Sequence, residues 1–178
     1  NGNEAFKSAC KNDHSGLVWT LIQNSATLKI DFPPQNWDSN ACFRKACENG
    51  HLELADFLMN NAATLGIDLN SRDNDYGQTA FSWACEKGHA DVVKLLMENA
   101  STTMSIDLNA KSKYGSTGFH WACWNGQTST VELLLNNADA LHLDLNSKNS
   151  DGDTGPHLAG VAGPCGPCGH RLAKMTPL

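Results

Sequence analysis

The segment GQTAFSWACEKGHADVVKLL, residues 77–96, carries the pattern that decides the fold. Thr79 can cap a helix, because its hydroxyl accepts a hydrogen bond from an otherwise unpaired backbone amide. Gly88 can adopt the left-handed conformation that ends a helix. Between them, apolar residues recur at spacings of three and four, namely Phe81, Ala84 and Cys85. A second apolar stripe follows the glycine, so the segment predicts two short amphipathic helices joined by a tight turn.

The first part of this pattern occurs four times along the chain. Its copies are AFKSACKNDH (5–14), CFRKACENGH (42–51), AFSWACEKGH (80–89) and GFHWACWNGQ (118–127). A second signature, IDF, IDLN or LDLN, ends each copy at 30–32, 67–70, 106–109 and 143–146, and a fifth copy begins with DGDTGPHLA at 151–159. One helix pair cannot bury its apolar face alone. Stacked copies can, so the period predicts an elongated solenoid.

The segment at 77–96 resembles the ankyrin repeat, whose pattern runs G-x-T-P-L-H-x-A-x-x-x-G-H, followed by an apolar helix and an asparagine. The resemblance covers residues 1–159: units one to four at about 1–35, 36–73, 74–111 and 112–149, and a partial unit five at 150–159. It implies an all-α, ankyrin-type helix-turn-helix repeat solenoid with turn or hairpin tips. The units exceed the usual ~33 residues by four or five, which predicts longer second helices or outer loops.

The composition bears on partners and location. The formal net charge is −6 over 178 residues, which disfavours binding to nucleic acid or to anionic membranes. No stretch approaches the roughly 20 apolar residues of a membrane span, and no charged-then-apolar leader opens the chain. We therefore expect a soluble protein without membrane association. Because the chain begins with Asn1, we also expect a fragment or a processed form.

Four cysteines occupy one equivalent position on the predicted first helices: Cys10, Cys47, Cys85 and Cys123. Neighbouring helices pack about 8–10 Å apart, whereas a disulfide needs Cα atoms within about 7 Å. We therefore expect small, buried, reduced thiols. Together with Cys42 they are more typical of the cytoplasm, or of the nucleus, than of a secreted protein.

Residues 160–178 form a tail rich in Gly, Pro and Cys that contains the sequence PCGPCGH. Cys165 and Cys168 have the spacing of a thioredoxin-like dithiol, and with His170 and His157 they could supply four zinc ligands. Only ten residues follow Cys168, which leaves no room for a thioredoxin-like fold. We expect an irregular cap or tail, with a redox or zinc site as the alternative.

Signatures of catalysis are absent from the sequence. It contains no phosphate-binding glycine loop, no H-E-x-x-H and no G-x-S-x-G, so we expect no enzyme activity, no cofactor and no resident metal. His51 and His89 each follow an inter-helix glycine, where a turn role is expected. Carboxylates that recur once per unit are expected to form turns or caps: Asp31, Asp68, Asp107 and Asp144. The chain could also be the targeting arm of a larger enzyme.

The resemblance implies that partner contacts come from the turn tips and from the concave face of the first helices. The residues at these positions are Trp37, Asp38, Asn40, Glu48 and Asn49 in unit two; Asp75, Tyr76, Gln78, Glu86 and Lys87 in unit three; and Lys113, Tyr114, Ser116, Trp124 and Asn125 in unit four. We therefore expect a monomeric, non-catalytic scaffold that presents a rigid surface to another protein or to a peptide.

Trp124 is the most informative of these residues. Its equivalents in the other units are charged: Lys11, Glu48 and Glu86. A large indole at an otherwise charged position indicates a surface that binds something. Trp83 and Trp121 replace a position usually held by Leu, so we expect them to pack between helices, with partly exposed rings in the groove as the alternative.

Overall fold

The computed structural model describes residues 5, 8–9, 14–28, 38–100 and 105–161. Within these residues the regular structure is helical, as predicted. The helices with complete bounds are α1 (Ser15–Gln23), α2 (Ser25–Leu28), α3 (Ser39–Glu48), α4 (Leu52–Asn60), α5 (Ala62–Leu65), α6 (Ala80–Lys87), α7 (Ala90–Ala100), α8 (Gly118–Trp124), α9 (Thr128–Asn137) and α10 (Gly155–Val161).

The helices form two rows. The first helices of successive units, α3, α6, α8 and α10, pack side by side in one row, and the second helices α4, α7 and α9 pack in the other. Within each unit the two helices are antiparallel neighbours, because only a short turn joins them. None of the described helices is both long enough and apolar enough to cross a lipid bilayer.

The predicted helix limits in unit three are confirmed. The Thr79 hydroxyl caps α6 by accepting from the Ser82 amide at 3.3 Å. Gly88 ends the helix with φ of +78°, and the equivalent Gly50 and Gly126 also have positive φ. A Cβ atom at Gly88 would also collide with the side chain of Gln127 in the next unit. The inter-helix glycine therefore serves both the turn and the stacking of units.

The core lies between the two rows and repeats from unit to unit. Cys47, Cys85 and Cys123 are completely buried, and no disulfide joins them, which confirms the expectation for these three positions. Burial raises the pKa of the Cys47 and Cys85 thiols. Cys10 lies outside the described residues.

In units one, two and four, the residues in excess of the usual repeat length form outer loops with an extra helical turn. In units one and two this turn is α2 and α5, and in unit four it is the turn at 138–142. Gly66 ends α5 in the left-handed conformation, and His142 adopts the same conformation with φ of +52°. The predicted extension of the outer loops is therefore confirmed.

Hydrogen bonds between units use the side chains that recur with the period. The Asn109 side chain accepts from the Asp144 amide at 2.8 Å and donates to the His142 carbonyl at 2.9 Å. Asn70 bonds in the same way to residues 107 and 105 of the following unit. The carboxylates of Asp68, Asp107 and Asp144 each accept from the amide two residues later, which confirms their turn role. Asp31 lies outside the described residues.

The residue after the inter-helix glycine also joins units. The imidazole Nε2 of His89 bonds to the backbone carbonyl of Glu48 at 2.9 Å. The side-chain amide of Gln127 donates to the backbone carbonyl of Glu86 at the same distance. Each bond satisfies a carbonyl at the end of the preceding first helix, where intrahelical partners are lacking. His89 therefore holds the stack together as well as the turn.

Candidate functional site

The turn tips lie side by side along one edge of the stack. We define tip three as residues 73–78, tip four as 112–116 and tip five as 149–153. The Lys113 amide donates to the Tyr76 carbonyl, and the Ser150 amide donates to the Tyr114 carbonyl, both at 2.9 Å. These bonds set the spacing of consecutive tips. They place the rings of Tyr76 and Tyr114 at 6.5 Å between centroids, with exposed fractions of 44% and 51%.

Tip three is organised around one carboxylate. Asp73 accepts from the amides of Asp75, Tyr76 and Gln78 at 2.6–2.8 Å and from the Gly77 amide at 3.2 Å. Burial alone would raise the pKa of Asp73, but these hydrogen bonds stabilise the charged form and the net result is a lowered pKa. Tip three is therefore held rigidly by its own side chain.

The indole of Trp83 extends this arrangement onto α6. Its Nε1 donates to Asp73 at 3.1 Å, and its ring meets Tyr76 edge-on at 5.9 Å. The Lys87 ammonium lies 5.1 Å from the ring centroid, within cation–π range. Trp83 is half-buried, and so is its equivalent Trp121 in unit four. Both rings therefore lie at the boundary between the helix row and the surface.

Trp124 ends α8 with an exposed fraction of 47%. The equivalent residues Glu48 and Glu86 are engaged in ion pairs, with Lys45 at 2.7 Å and Lys87 at 3.1 Å. The position is therefore exposed in unit four, as inferred from the charged residues, whereas Glu48 and Glu86 are half-buried. Asn125 follows Trp124 and is also exposed.

Two of the predicted contact residues are buried. Gln78 is 1% exposed and its amide donates to the Glu86 carboxylate at 2.8 Å, while Ser116 is 6% exposed and its carbonyl accepts from Ser112. Both residues are therefore buried at the ends of their tips. We therefore remove Gln78 and Ser116 from the candidate surface.

In unit two, two of the residues predicted to contact a partner form hydrogen bonds within the chain. Asp38 caps α3 by accepting from the Ala41 amide at 2.8 Å, and Asn40 accepts from the Asp68 amide at the same distance. Glu48 and Asn49 are half-buried. Trp37 lies outside the described residues.

The exposed predicted residues are concentrated in units three and four. Asp75 and Lys113 are exposed, and the Lys113 ammonium donates to the carbonyls of Asn74 and Asp75. We use the name aromatic surface for Tyr76, Trp83, Tyr114 and Trp124 together with the flanking Asp75, Lys87, Lys113 and Asn125. Asp73, which organises this surface, was not predicted, although an Asp at the start of a turn is a known signal.

Groups of metal ligands are absent from the described part of the chain. There, no group of three or more His, Cys, Asp and Glu side chains is placed to hold a metal ion. His157 is exposed, and its Nδ1 accepts from the Thr154 amide at 3.3 Å. Cys165, Cys168 and His170 lie outside the described residues.

Comparison with known proteins agrees with the geometry. A search of curated proteins finds no match to this chain. The family model for ankyrin repeats, in three copies, matches residues 43–149, which is more than half of the chain. Ankyrin repeats generally mediate interactions between proteins and are typically not enzymes. Given the two rows of helices, the joined tips and this match, the chain belongs to the ankyrin repeat family.

Proposed function

We propose that this chain is a non-catalytic scaffold that binds another protein or a peptide through the aromatic surface. The supporting observation is the exposure of three large aromatic side chains, Tyr76, Tyr114 and Trp124, on the tips and the first helix of adjacent units. Tyrosine and tryptophan are enriched among residues that dominate binding energy, because they bury a large area and lose little rotamer freedom.

The rigidity of the surface supports the same function. Asp73 holds tip three, main-chain bonds join the tips, and side chains of one unit bond to the backbone of the next. A surface that is ordered before binding loses little conformational entropy when a partner docks. We propose that the chain acts as a monomer in the cytoplasm or the nucleus, without a cofactor and without binding nucleic acid or membranes.

The experiment compares two residues of equal exposure. Trp124 and Leu17 are both 47% exposed, but Leu17 lies on α1, away from the aromatic surface. The wild-type chain, Trp124→Ala and Leu17→Ala are used as baits for quantitative proximity cross-linking in a cell extract. We expect at least one protein that is captured by the wild type and by Leu17→Ala but lost with Trp124→Ala.

A thermal melt of each variant accompanies the capture. Because Trp124 is exposed, its replacement should change the free energy of unfolding by no more than about 0.5 kcal/mol. If no captured protein depends on Trp124, the proposed function is wrong. If Trp124→Ala instead unfolds the chain, the indole belongs to the core and does not mark a binding surface.

A further inference from the structure

Tips three and four begin in the same way but carry different side chains. The Asp73 amide donates to the Gln78 carbonyl at 3.0 Å, and the Ser112 amide donates to the Ser116 carbonyl at 2.9 Å. Tip three is one residue longer between these points. Ser112 therefore stands in unit four where Asp73 stands in unit three, and unit four has a hydroxyl in place of a carboxylate.

The missing carboxylate leaves one donor unsatisfied. In unit three, Trp83 Nε1 donates to Asp73, whereas the equivalent Nε1 of Trp121 is buried and, within the described part of the chain, has no hydrogen-bond partner. Buried N–H groups are nearly always paired, so one that is not calls for an explanation. The indole of Trp121 points to an acceptor that the described part of the chain does not provide.

The charges around tip four suit an anionic acceptor. Lys111 and Lys113 are exposed beside and on tip four, and α8 carries no Asp, Glu, Lys or Arg. The guanidinium of Arg72, which directly precedes tip three, donates to the Lys111 carbonyl. Tip three carries two acidic residues, Asp73 and Asp75, whereas tip four carries none. Lys111, Lys113, Tyr114 and Trp124 therefore form a small basic and aromatic patch, which is flanked by the exposed acidic residues Asp75 of tip three and Asp151 of tip five.

Tip four is also held less firmly than tip three. The Ser112 hydroxyl accepts from the Tyr114 amide at 3.3 Å, whereas Asp73 accepts from four backbone amides and one indole. Tip four is therefore organised by fewer of its own side-chain hydrogen bonds, although its backbone is bonded to tips three and five. A ligand atom reaches the covered Nε1 of Trp121 only if the residues around it move.

We propose that unit four binds an acidic side chain of the protein partner, with the partner's Asp or Glu carboxylate taking the place that Asp73 holds in unit three. The carboxylate accepts from Trp121 Nε1 and is attracted by Lys111 and Lys113. Tyr114 and Trp124 provide apolar contact on either side of the acidic residue. This inference rests on the proposed function and gives the chemical class of its partner.

An acidic peptide fits better than a nucleic acid. Nucleic-acid affinity depends on many Lys and Arg contacts with successive phosphates, and the net charge of −6 opposes it. The patch offers one unsatisfied donor and two lysines, and this number of groups suits one carboxylate better than a row of phosphates.

The test measures binding of a fluorescein-labelled hexaglutamate peptide to the full chain by fluorescence anisotropy at low ionic strength. Hexaglutamine and a six-nucleotide oligothymidylate are the comparison probes. We expect hexaglutamate to bind and the other two probes to bind at least about tenfold more weakly. Absence of hexaglutamate binding, or equal binding of the oligonucleotide, overturns the proposal.

Two matched variants locate the binding. Lys113→Gln should weaken hexaglutamate binding several-fold, whereas Lys94→Gln, which removes the same charge from the exposed face of α7, should not. Ser112→Asp supplies an internal carboxylate and should also weaken binding. Equal effects of Lys113→Gln and Lys94→Gln would reduce the binding to general electrostatics and overturn the proposal.

A spectroscopic measurement reports on the donor itself. The indole N–H resonance of Trp121, assigned with Trp121→Phe, should shift when hexaglutamate is added, and an unchanged resonance contradicts the proposed contact. Proteins captured through Trp124 that are insensitive to Lys113→Gln and Ser112→Asp would leave the proposed function intact and refute the acidic partner.

Discussion

At the scale of single residues, His120 shows how one buried side chain joins two units. Its Nδ1 accepts from the Thr117 amide at 3.2 Å, so its Nε2 carries the proton and donates to the Asp153 carbonyl at 3.2 Å in the next unit. Burial lowers the pKa of His120, although its hydrogen bonds to the Asp153 and Ser147 carbonyls oppose this effect. The imidazole is therefore held in its neutral form.

The lowered pKa of His120 predicts a loss of stability in mild acid. The unfolded chain takes up the proton near pH 6.5 and the folded chain only at lower pH, so the free energy of unfolding should fall as pH drops from about 7 to 5. His120→Gln should lower the free energy of unfolding by about 1–2 kcal/mol at pH 8 and make this fall shallower. Urea unfolding at pH 8, 6.5 and 5 measures both effects.

His157 is the matched control for His120. It bonds to Thr154 as His120 bonds to Thr117, but it is exposed. His157→Gln should lower the free energy of unfolding at pH 8 by less than His120→Gln does, because the His157 imidazole is already exposed to solvent. An equal effect of both substitutions would contradict the role given to burial.

Asp73 predicts a second dependence of stability on pH, in a more acidic range than that of His120. Because its pKa in the folded chain is lowered, it stabilises the fold above the ordinary aspartate pKa of about 3.9, and this stability is lost as pH falls through the folded value. Asp73→Asn should cost about 1–3 kcal/mol at pH 7 and less at pH 3. Asp75→Asn, two residues away and exposed, should cost under about 0.5 kcal/mol. Denaturant unfolding at the two pH values distinguishes them.

At the scale of elements, the ends of α3 and α6 are each built from a glycine and a side chain of the next unit. Gly88 has φ of +78° and faces Gln127, whose amide donates to the Glu86 carbonyl. Gly126 is the same position one unit later, with φ of +66°, but no atom of the described residues lies within 4 Å of where its Cβ would be. The two glycines thus share a backbone requirement and differ in packing.

This difference predicts unequal effects of the same substitution. Gly126→Ala should lower the free energy of unfolding by about 1–2 kcal/mol through the positive φ alone. Gly88→Ala should cost about 1 kcal/mol more, because Gln127 must move and lose its bond to the Glu86 carbonyl. Thermal or urea unfolding of both variants measures the difference. Equal losses in the free energy of unfolding would mean that the contact between Gly88 and Gln127 adds no stability beyond that of the turn.

At the scale of the whole molecule, stability depends on contacts between neighbouring units. Asparagine side chains join one signature to the next, from Asn70 to unit three and from Asn109 to unit four. Unit one has Pro33 where the other units have this asparagine, and Asn40 on α3 accepts from the Asp68 amide instead. A residue outside the signature thus replaces a missing member of the series.

The series predicts that position in the stack, and not residue type, sets the cost of losing an asparagine. Asn109→Ala removes two hydrogen bonds to unit four and should cost about 1–2 kcal/mol. Asn146→Ala, at an exposed signature asparagine of unit four, should cost under about 0.5 kcal/mol. Urea unfolding of each variant against the wild type gives both values, and a larger loss for Asn146→Ala would refute the series.

The sequence by itself determined the helix pairs, their period and the buried thiols. Thr79, Gly88 and the apolar spacing between them act within three to five residues, where the identity of the amino acid dictates the local backbone. The position of Trp124 on the surface also followed from the sequence, because its equivalents in the other units are charged.

Only the tertiary structure decided which tip residues face outward and which satisfy the interior. Gln78 and Ser116 belong to the tips yet are buried, and Trp83 bonds to Asp73 while its equivalent Trp121 is left without an acceptor. The contacts that join units link residues 33 to 41 positions apart, as at His120 and His89. Local propensity does not act over that separation, so the direction of a tip side chain depends on the unit that packs beside it.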